Sequence, residues 1–479
     1  MVRALLISTY DLGRQPFGLA SPAAWLRRAA VEVECVDTSR DEVTDSQIAS
    51  ADLVAFYLPM HTATRLAAPL IDRVRAANPN ASVAAYGLYA PLNDTWLRER
   101  GVQHVLGPEA EADLVAIAAP APTRSRAPDR GLPRLDFIQP DRSSLPSLAR
   151  YAAVQMPDGT RKVAGATDAT RGCKHLCRHC PIVPVYKGAF RAVPVDVVLA
   201  DVRAQVAAGA QHISFGDPDF FNGPTHARRV VEQLAREFPQ LTYDVTIKIE
   251  HLLRHADLLP VLRDTGCLFV TSAVESIDDV VLGKLRKGHT RADFRQAVGL
   301  CRDVGLTVTP TFVPFTPWTT LEGYVDLLEE LTTLDLETAV APIQLAIRLL
   351  VTGDSALLEL PDIRAIVEPF DPASLTWPWR HADGRVDVLQ RDVMGLVDAM
   401  RHASRAEVFA EIVQLARGVG SGGLDNSGPG ARHSQPRRQQ PAATPPFLTE
   451  AWYCCAEPVC APSPASGASR GQAEIATYL

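Results

Sequence analysis

The chain has 479 residues, of which 47% are hydrophobic and 22% charged, and its formal net charge is −7. This composition is typical of a globular protein with a large apolar core and excludes a wholly disordered chain. The sequence has no block of Lys and Arg of the kind that follows a phosphate backbone, so we expect no nucleic-acid partner. No run approaches about 18 apolar residues, and the first apolar stretch is too short for a signal peptide. We therefore expect no membrane partner and a cytoplasmic location.

Residues 1–118 alternate between short apolar segments and amphipathic ones. The strand-like segments are residues 4–8, 31–37, 51–59 and 82–87. Strands that alternate with helices predict an α/β fold with a doubly wound parallel sheet of the Rossmann type. Residues 119–164 begin with a stretch rich in Pro, Arg and Ser, and we predict that they form a linker.

A second and more regular alternation occupies residues 165–360. Its strand candidates are residues 212–217, 242–248, 267–275 and 307–315. About six strand–helix units predict a partial (β/α)6 barrel, whose functional residues should lie at the carboxyl ends of the strands.

The remaining chain divides into two parts. Residues 361–417 have a helical pattern. Residues 418–479 are rich in Gly, Ser and Pro and are predicted to be a flexible, disordered tail. Within that tail, the segment AWYCCAEPVC, residues 451–460, differs from its surroundings because aromatic residues and cysteines are concentrated there.

Three of the nine cysteines, Cys173, Cys177 and Cys180, form a C-x3-C-x2-C motif. This spacing indicates a metal centre in a reducing compartment rather than a disulfide framework. Three thiolates on one loop can each bind one iron of a [4Fe–4S] cubane and leave the fourth iron open. A zinc site made of the same thiolates and His175 or His179 is the alternative.

The motif resembles the signature loop of the radical S-adenosylmethionine (SAM) superfamily, although His179 replaces the more usual aromatic residue. This resemblance covers about residues 165–350. It implies an enzyme whose three cysteines hold a [4Fe–4S] cluster, whose open iron binds SAM, and whose cluster receives electrons from a donor such as flavodoxin or ferredoxin.

The resemblance also implies SAM contacts at four positions. Gly216 and Asp217 match the turn that meets the SAM amino group, and Glu275 matches a glutamate that contacts its sugar or amino acid part. Lys248 is a candidate for the SAM carboxylate. An ordinary turn at Gly216 and a lysine that reaches solvent from a strand end are the alternatives.

Residues 1–118 resemble the cobalamin-binding-like domain that often precedes a radical SAM domain. The cobalt-ligating histidine expected after the first strand is absent from residues 8–22. Cobalamin is therefore a disfavoured cofactor, and His61 is a candidate ligand that is better explained as a polar residue at a strand end.

The tail resembles that of radical SAM proteins named for their terminal Cys-Cys-Ala-Glu-Pro, a group that includes the enzyme that starts arsinothricin biosynthesis. That resemblance implies transfer of the 3-amino-3-carboxypropyl group of SAM to trivalent arsenic, with Cys454 and Cys455 binding arsenite. Thiolates prefer such soft elements. In the alternative interpretation, Trp452 and Tyr453 dock the tail and its thiols have no role.

The sequence therefore predicts an enzyme that cleaves SAM reductively and acts on a small-molecule or inorganic acceptor, with arsenite favoured. The residues do not determine which carbon–sulfur bond is cleaved. A cobalamin-assisted radical methyltransferase and a non-enzymatic metal-binding or metal-sensing protein are the alternatives.

Overall fold

The structure, a computed structural model, describes residues 2–119, 135–420 and 444–450. Its N-terminal part has five parallel strands: β1 (Arg3–Ser8), β2 (Glu32–Asp37), β3 (Leu53–Tyr57), β4 (Ser82–Tyr86) and β5 (His104–Val105). They lie in the order β2-β1-β3-β4-β5. The helices are α1 (Phe17–Arg28), α2 (Asp45–Ser50), α3 (His61–Ala77), α4 (Asp94–Glu99) and α5 (Glu111–Ala118).

Both faces of this sheet are buried. Along β1, Leu5 and Ile7 pack into one apolar cluster, whereas Ala4 and Leu6 pack into another. Side chains alternate between the two faces of a strand, so helices must cover both sides. The predicted doubly wound parallel sheet is confirmed.

The second sheet contains seven strands in the order β13-β12-β11-β10-β7-β6-β14. They are β6 (Ala153–Gln155), β7 (Arg161–Thr167), β10 (His212–Phe215), β11 (Thr242–Thr246), β12 (Cys267–Glu275), β13 (Thr307–Phe312) and β14 (Phe447–Leu448). From β7 to β13 the neighbours are parallel, while β6 and β14 pair antiparallel. A separate antiparallel pair joins β8 (Thr170–Gly172) and β9 (Phe190–Ala192).

Helices cover this second sheet and enclose the largest apolar core. They are α6 (Ile182–Tyr186), α7 (Val195–Ala207), α8 (Pro224–Glu237), α9 (Ile249–Arg254), α10 (Leu259–Asp264), α11 (Asp279–Leu285), α12 (Arg291–Asp303), α13 (Leu321–Thr333), α14 (Pro361–Arg364), α15 (Gly384–Ala399) and α16 (Arg405–Gly420). None of the described helices is long and apolar enough to cross a membrane.

The partial barrel has five parallel strands instead of the expected six. The sixth is reduced to a single parallel bridge between Phe315 and Arg348. In this bridge the N–H of Phe315 donates to the carbonyl of Ile347, at 3.1 Å, and the N–H of Leu349 donates to the carbonyl of Phe315, at 2.8 Å. The strand continues no further among the described residues.

Two segments differ from the sequence-based expectation. The range 119–164, expected to be a linker, carries β6 and the first part of β7. Part of the range 361–417, expected to be helical, is extended between α14 and α15. In that part Val367 bridges to Trp379. Three prolines, at positions 369, 372 and 378, explain the absence of helix there, since proline removes a backbone donor.

Candidate functional site

The cysteine loop begins directly after β8, at the carboxyl edge of the second sheet. Cys173 and Cys177 are buried and Cys180 is partly buried. Burial raises the pKa of the Cys173 thiol to about 11. A buried thiol with a raised pKa needs a cation to become a thiolate, so this environment suits a metal-bound cysteine better than a solvent-exposed reactive one.

The strand that precedes the loop, β8, is held by contacts from the N-terminal part and from the second sheet. Arg171 pairs with Glu111 of α5 at 2.7 Å, and both side chains are buried. Asp217, after β10, accepts hydrogen bonds from the N–H of Ala169, at 2.9 Å, and from the hydroxyl of Thr170, at 2.5 Å. The loop therefore starts from a fixed position between the two sheets.

The three cysteine sulfurs do not all lie within 4.8 Å of one another in the structure. Among the described residues, His175, Asp219 and His251 form the one set of His, Cys, Asp or Glu whose ligand atoms all lie within 4.8 Å of one another. A single zinc ion binds sulfur at about 2.3 Å, which would bring its thiolates to within about 4 Å of each other. The wider arrangement fits a multi-iron cluster better than the zinc alternative.

The two histidines of the loop lie beside carboxylates. His179 Nε2 is 3.2 Å from Glu275 Oε1, and His175 Nε2 is 3.2 Å from Asp219 Oδ2. Each loop histidine is thus oriented by a carboxylate of a neighbouring strand end.

Glu275 ends β12 at a strained backbone position. Its φ of 68° lies in the left-handed region, and the strand register shifts at this residue. Such strain costs about 1–3 kcal/mol and persists where the surroundings enforce it, often at functional sites. Burial alone would raise the pKa of Glu275, but Lys287 and His179 outweigh it and lower the pKa to about 2. Glu275 is thus a buried carboxylate that remains ionised.

Replacing Glu275 with Ala is expected to destabilise the protein by about 3–5 kcal/mol, because it leaves a buried cation without its partner. That cation is the Lys287 ammonium, whose Nζ is 3.3 Å from Glu275 Oε1. Thermal unfolding of the cluster-loaded protein measures the loss. The matched control is the double variant Glu275→Ala/Lys287→Met, which should recover most of it. Equal melting temperatures of the single variant and the parent would contradict the ion pair.

The residues predicted to contact SAM lie at the same edge of the sheet. Gly216 follows β10 and is tightly enclosed, since a methyl group there would collide with Asp168 Oδ1 and lie 3.7 Å from Arg14 Nη1. The side chain of Asp217 is occupied by the loop contacts described above, and burial raises its pKa to about 7. Lys248 follows β11, is buried, and has its Nζ 3.6 Å from Glu250 Oε2.

The structure adds residues that the sequence analysis did not single out. Asn222 lies under the loop: its Oδ1 accepts from the N–H of Lys174 at 3.2 Å and is 3.8 Å from Cys173 Sγ. Lys287, His251 and Asp219 complete the polar surroundings. Lys287 and Asp219 could have been found from the sequence, because they lie in the polar segments K-G-H-T, residues 287–290, and G-D-P-D, residues 216–219. His251 has none. Cys454 and Cys455 lie outside the described residues.

The sequence profile of the Radical SAM superfamily matches residues 168–331, which include the cysteine loop and β10 to β13. Residues 168–331 form a radical SAM domain. The predicted superfamily is thereby confirmed, as is the prediction that the chain is an enzyme. A radical SAM domain implies a [4Fe–4S] cluster and SAM as cofactors.

Curated relatives match part of the chain at low identity. The ribosomal protein uS12 methylthiotransferase RimO of Parabacteroides distasonis is 30% identical over 134 residues, which are 26% of this chain and 30% of that protein. The hopanoid C-3 methylase of Methylococcus capsulatus is 24% identical over 160 residues, covering 33% of this chain and 30% of that protein. The chain thus spans about a third of the length of these relatives.

Solved structures share the fold beyond the radical SAM domain. The match to the cobalamin-dependent SAM radical enzyme OxsB, with aqua-cobalamin bound, covers 88% of this chain and 72% of the OxsB chain. Its TM-score is 0.67 at 13% identity. The match to the radical SAM methyltransferase TsrM of Kitasatospora setae, with cobalamin and a [4Fe–4S] cluster bound, covers 92% of this chain and 94% of the TsrM chain. Its TM-score is 0.58 at 16% identity. Both likenesses concern the fold, and they confirm the predicted combination of an N-terminal parallel sheet with a partial barrel.

Proposed function

We propose that this enzyme cleaves SAM reductively and transfers its 3-amino-3-carboxypropyl group to trivalent arsenic. Cys173, Cys177 and Cys180 would hold the cluster. Cys454 and Cys455 would bind arsenite. The observation that carries the arsenic proposal is the docking of residues 447–450, which lie shortly before the tail cysteines, onto β6 and onto the loop that follows β1.

The docked segment is held by backbone pairing and by side chains. In β14, Phe447 and Leu448 pair antiparallel with Gln155 and Val154 of β6. The N–H of Thr449 donates to the carbonyl of Ala153 at 2.8 Å. These contacts continue the sheet by one strand, which gives the segment a defined register.

Side chains at either end of the docked segment strengthen the attachment. The guanidinium of Arg405 lies 4.1 Å from the centre of the Phe447 ring, a cation–π contact worth about 0.5–2 kcal/mol. The hydroxyl of Tyr10 donates to Glu450 Oε1 at 2.8 Å. Gly13 permits the approach, because a methyl group on it would lie 2.7 Å from Glu450 Cβ.

The docking position is close to the segment that leads into the cysteine loop. The loop after β1 contains Tyr10, Gly13 and Arg14. Arg14 Nη1 and Asp168 Oδ1 both lie beside Gly216. Burial raises the pKa of Asp168, and the positive charge of Arg14 counteracts this rise. Asp168 stands five residues before Cys173. This arrangement supports a tail that starts beside the cluster site.

The chain's residues account for the two cofactors as follows. The open iron left by three cysteines would receive SAM, and the backbone at Gly216 would meet its amino group. Lys248 would supply a cation for the SAM carboxylate. Glu275 would contact the sugar or amino acid part while holding Lys287. Asp217 fixes the start of the cysteine loop.

When bound, the cluster supplies the electron that splits a carbon–sulfur bond of SAM. The bond that forms joins the 3-amino-3-carboxypropyl carbon to arsenic, and methylthioadenosine leaves. Arsenous acid loses one hydroxyl as water, so the overall reaction consumes two electrons and one proton. A low-potential donor such as flavodoxin or ferredoxin would supply both electrons. The thiols of Cys454 and Cys455 would hold arsenic during transfer, since thiolates favour soft elements.

A cobalamin-assisted methyltransferase is the second candidate, because OxsB and TsrM share the fold and bind cobalamin. Two observations weigh against it here. Residues 8–22 contain no histidine to ligate cobalt. In addition, the loop after β1 is covered by Glu450 of the chain's own C-terminal part.

Anaerobic reconstitution with iron, sulfide, SAM and a reductant tests the proposal. With arsenite we expect methylthioadenosine and an arsenic-containing amino acid, both measured by liquid chromatography and mass spectrometry. Without arsenite only uncoupled SAM cleavage should remain. A methylated product that requires added cobalamin would favour the second candidate. 5′-Deoxyadenosine as the main product would show that the other bond is cleaved.

A further inference from the structure

Besides the three cysteines, a second group of metal-ligating side chains lies next to the same loop. His175 Nε2 is 3.2 Å from Asp219 Oδ2, and His251 Nδ1 is 2.6 Å from the same oxygen. His175 belongs to the cysteine loop, Asp219 follows β10 and His251 lies in α9. Three separate elements therefore bring one ligand atom each to a common point.

Asp219 Oδ2 lies between the two imidazole nitrogens, but neither contact has the angular geometry of a good hydrogen bond. Asp219 Oδ2, His175 Nε2 and His251 Nδ1 are all buried, and none has a hydrogen-bond partner among the described residues. The side chains of Asp219 and His251 have no exposed surface. Burying such atoms unsatisfied is costly, whereas a shared cation would satisfy all three together.

Neighbouring groups orient two of the three ligands. The N–H of Phe221 donates to Asp219 Oδ1 at 3.1 Å, which leaves Oδ2 directed at the histidines. His175 Nδ1 lies 3.7 Å from Glu250 Oε2. A carboxylate beside the second nitrogen of a histidine is the usual support of a metal-binding imidazole. The second nitrogen of His251 has no partner among the described residues.

The local charges permit a cation at this point. Lys248 lies near enough to oppose positive charge at His175. Glu250 counteracts it, since its Oε2 is 3.6 Å from Lys248 Nζ. The Asp219 carboxylate adds a further negative charge. The side chain of His175 is 12% exposed and offers the path from solvent.

We propose that His175, Asp219 and His251 bind a divalent transition-metal ion of the zinc class, separate from the iron–sulfur cluster. Two imidazoles and one carboxylate suit such an ion, and three protein ligands leave one position for water. Because His175 lies between Cys173 and Cys177, the ion would tie the cysteine loop to β10 and α9. Its expected role is to position that loop.

Zinc added to the anaerobically reconstituted full chain, with its cluster in place, tests this site. We expect about four irons from the cluster and one zinc per chain by mass spectrometry of the metals. X-ray absorption at the zinc edge should show nitrogen and oxygen neighbours with the scattering pattern of imidazole. Absence of a zinc equivalent, or sulfur among the zinc neighbours, would overturn the proposal.

Variants of the proposed ligands provide a second test of the zinc site. Asp219→Asn and His251→Gln should lose the zinc equivalent and retain the cluster iron. The matched control is His255→Gln, directly after the same helix, whose ring centre is 5.7 Å from that of His251; this variant should retain both metals. Full zinc binding by both site variants would contradict the assignment. If these variants do not fold, the absorption spectrum of the parent protein decides.

Discussion

Replacing any one of Cys173, Cys177 and Cys180 with Ala is expected to abolish both the brown colour of the protein and its cleavage of SAM. Each thiolate would bind one iron, so losing one opens the cubane at a second corner. The cluster then has no stable attachment and no electron reaches SAM. Iron and sulfide analysis, visible absorption and the yield of SAM cleavage products measure the effect.

The matched control for these three variants is Cys35→Ala. Cys35 lies in β2 and is buried in the N-terminal part, away from the cysteine loop. This variant should keep its iron and its activity. Anaerobically purified parent protein that carries zinc at the three cysteines and no iron would refute the cluster assignment.

The second large effect is expected in the tail. The double variant Cys454→Ser/Cys455→Ser should keep the cluster and uncoupled SAM cleavage but lose the arsenic-containing product below detection. A serine hydroxyl is a far poorer ligand than a thiolate for a soft atom. Product yield with arsenite, divided by total SAM cleaved, is the quantity to measure.

Two further variants define what the tail contributes. Cys301→Ala removes a buried thiol of α12 and should leave the product ratio unchanged. A chain that ends at Thr449 should behave like the double variant. If the shortened chain converts arsenite at the full rate, the tail takes no part in transfer and the arsenic proposal loses its main support.

Local patterns in the sequence were sufficient to predict four of the five parallel strands of the barrel, β10 to β13, but not β7. The segment 267–275 was expected as a strand and forms β12, Cys267–Glu275, because seven apolar or β-branched residues and one serine precede the charged Glu275. By contrast, β14 has two residues and pairs with a strand almost 300 positions earlier. A two-residue strand has no periodicity, so only the tertiary pairing reveals it.

The candidate site likewise contains residues that local sequence patterns could identify and residues that they could not. The cysteine motif could be recognised because all three residues lie within one loop. The partners of Glu275 could not, since His179 is 96 positions away and the approach depends on how β12 lies against the loop. The contacts of His175 with Asp219 and of Asp219 with His251 likewise cross from one element to another.

The docking of β14 and Glu450 sets an upper limit on the distance from Glu450 to the tail cysteines. Cys454 is four positions after Glu450, which limits the distance between these two residues to about 14 Å even in a fully extended chain. A thiol confined in this way has an effective concentration on the order of millimolar or higher. A synthetic peptide carrying the tail cysteines would need comparable concentrations to replace them in a shortened chain.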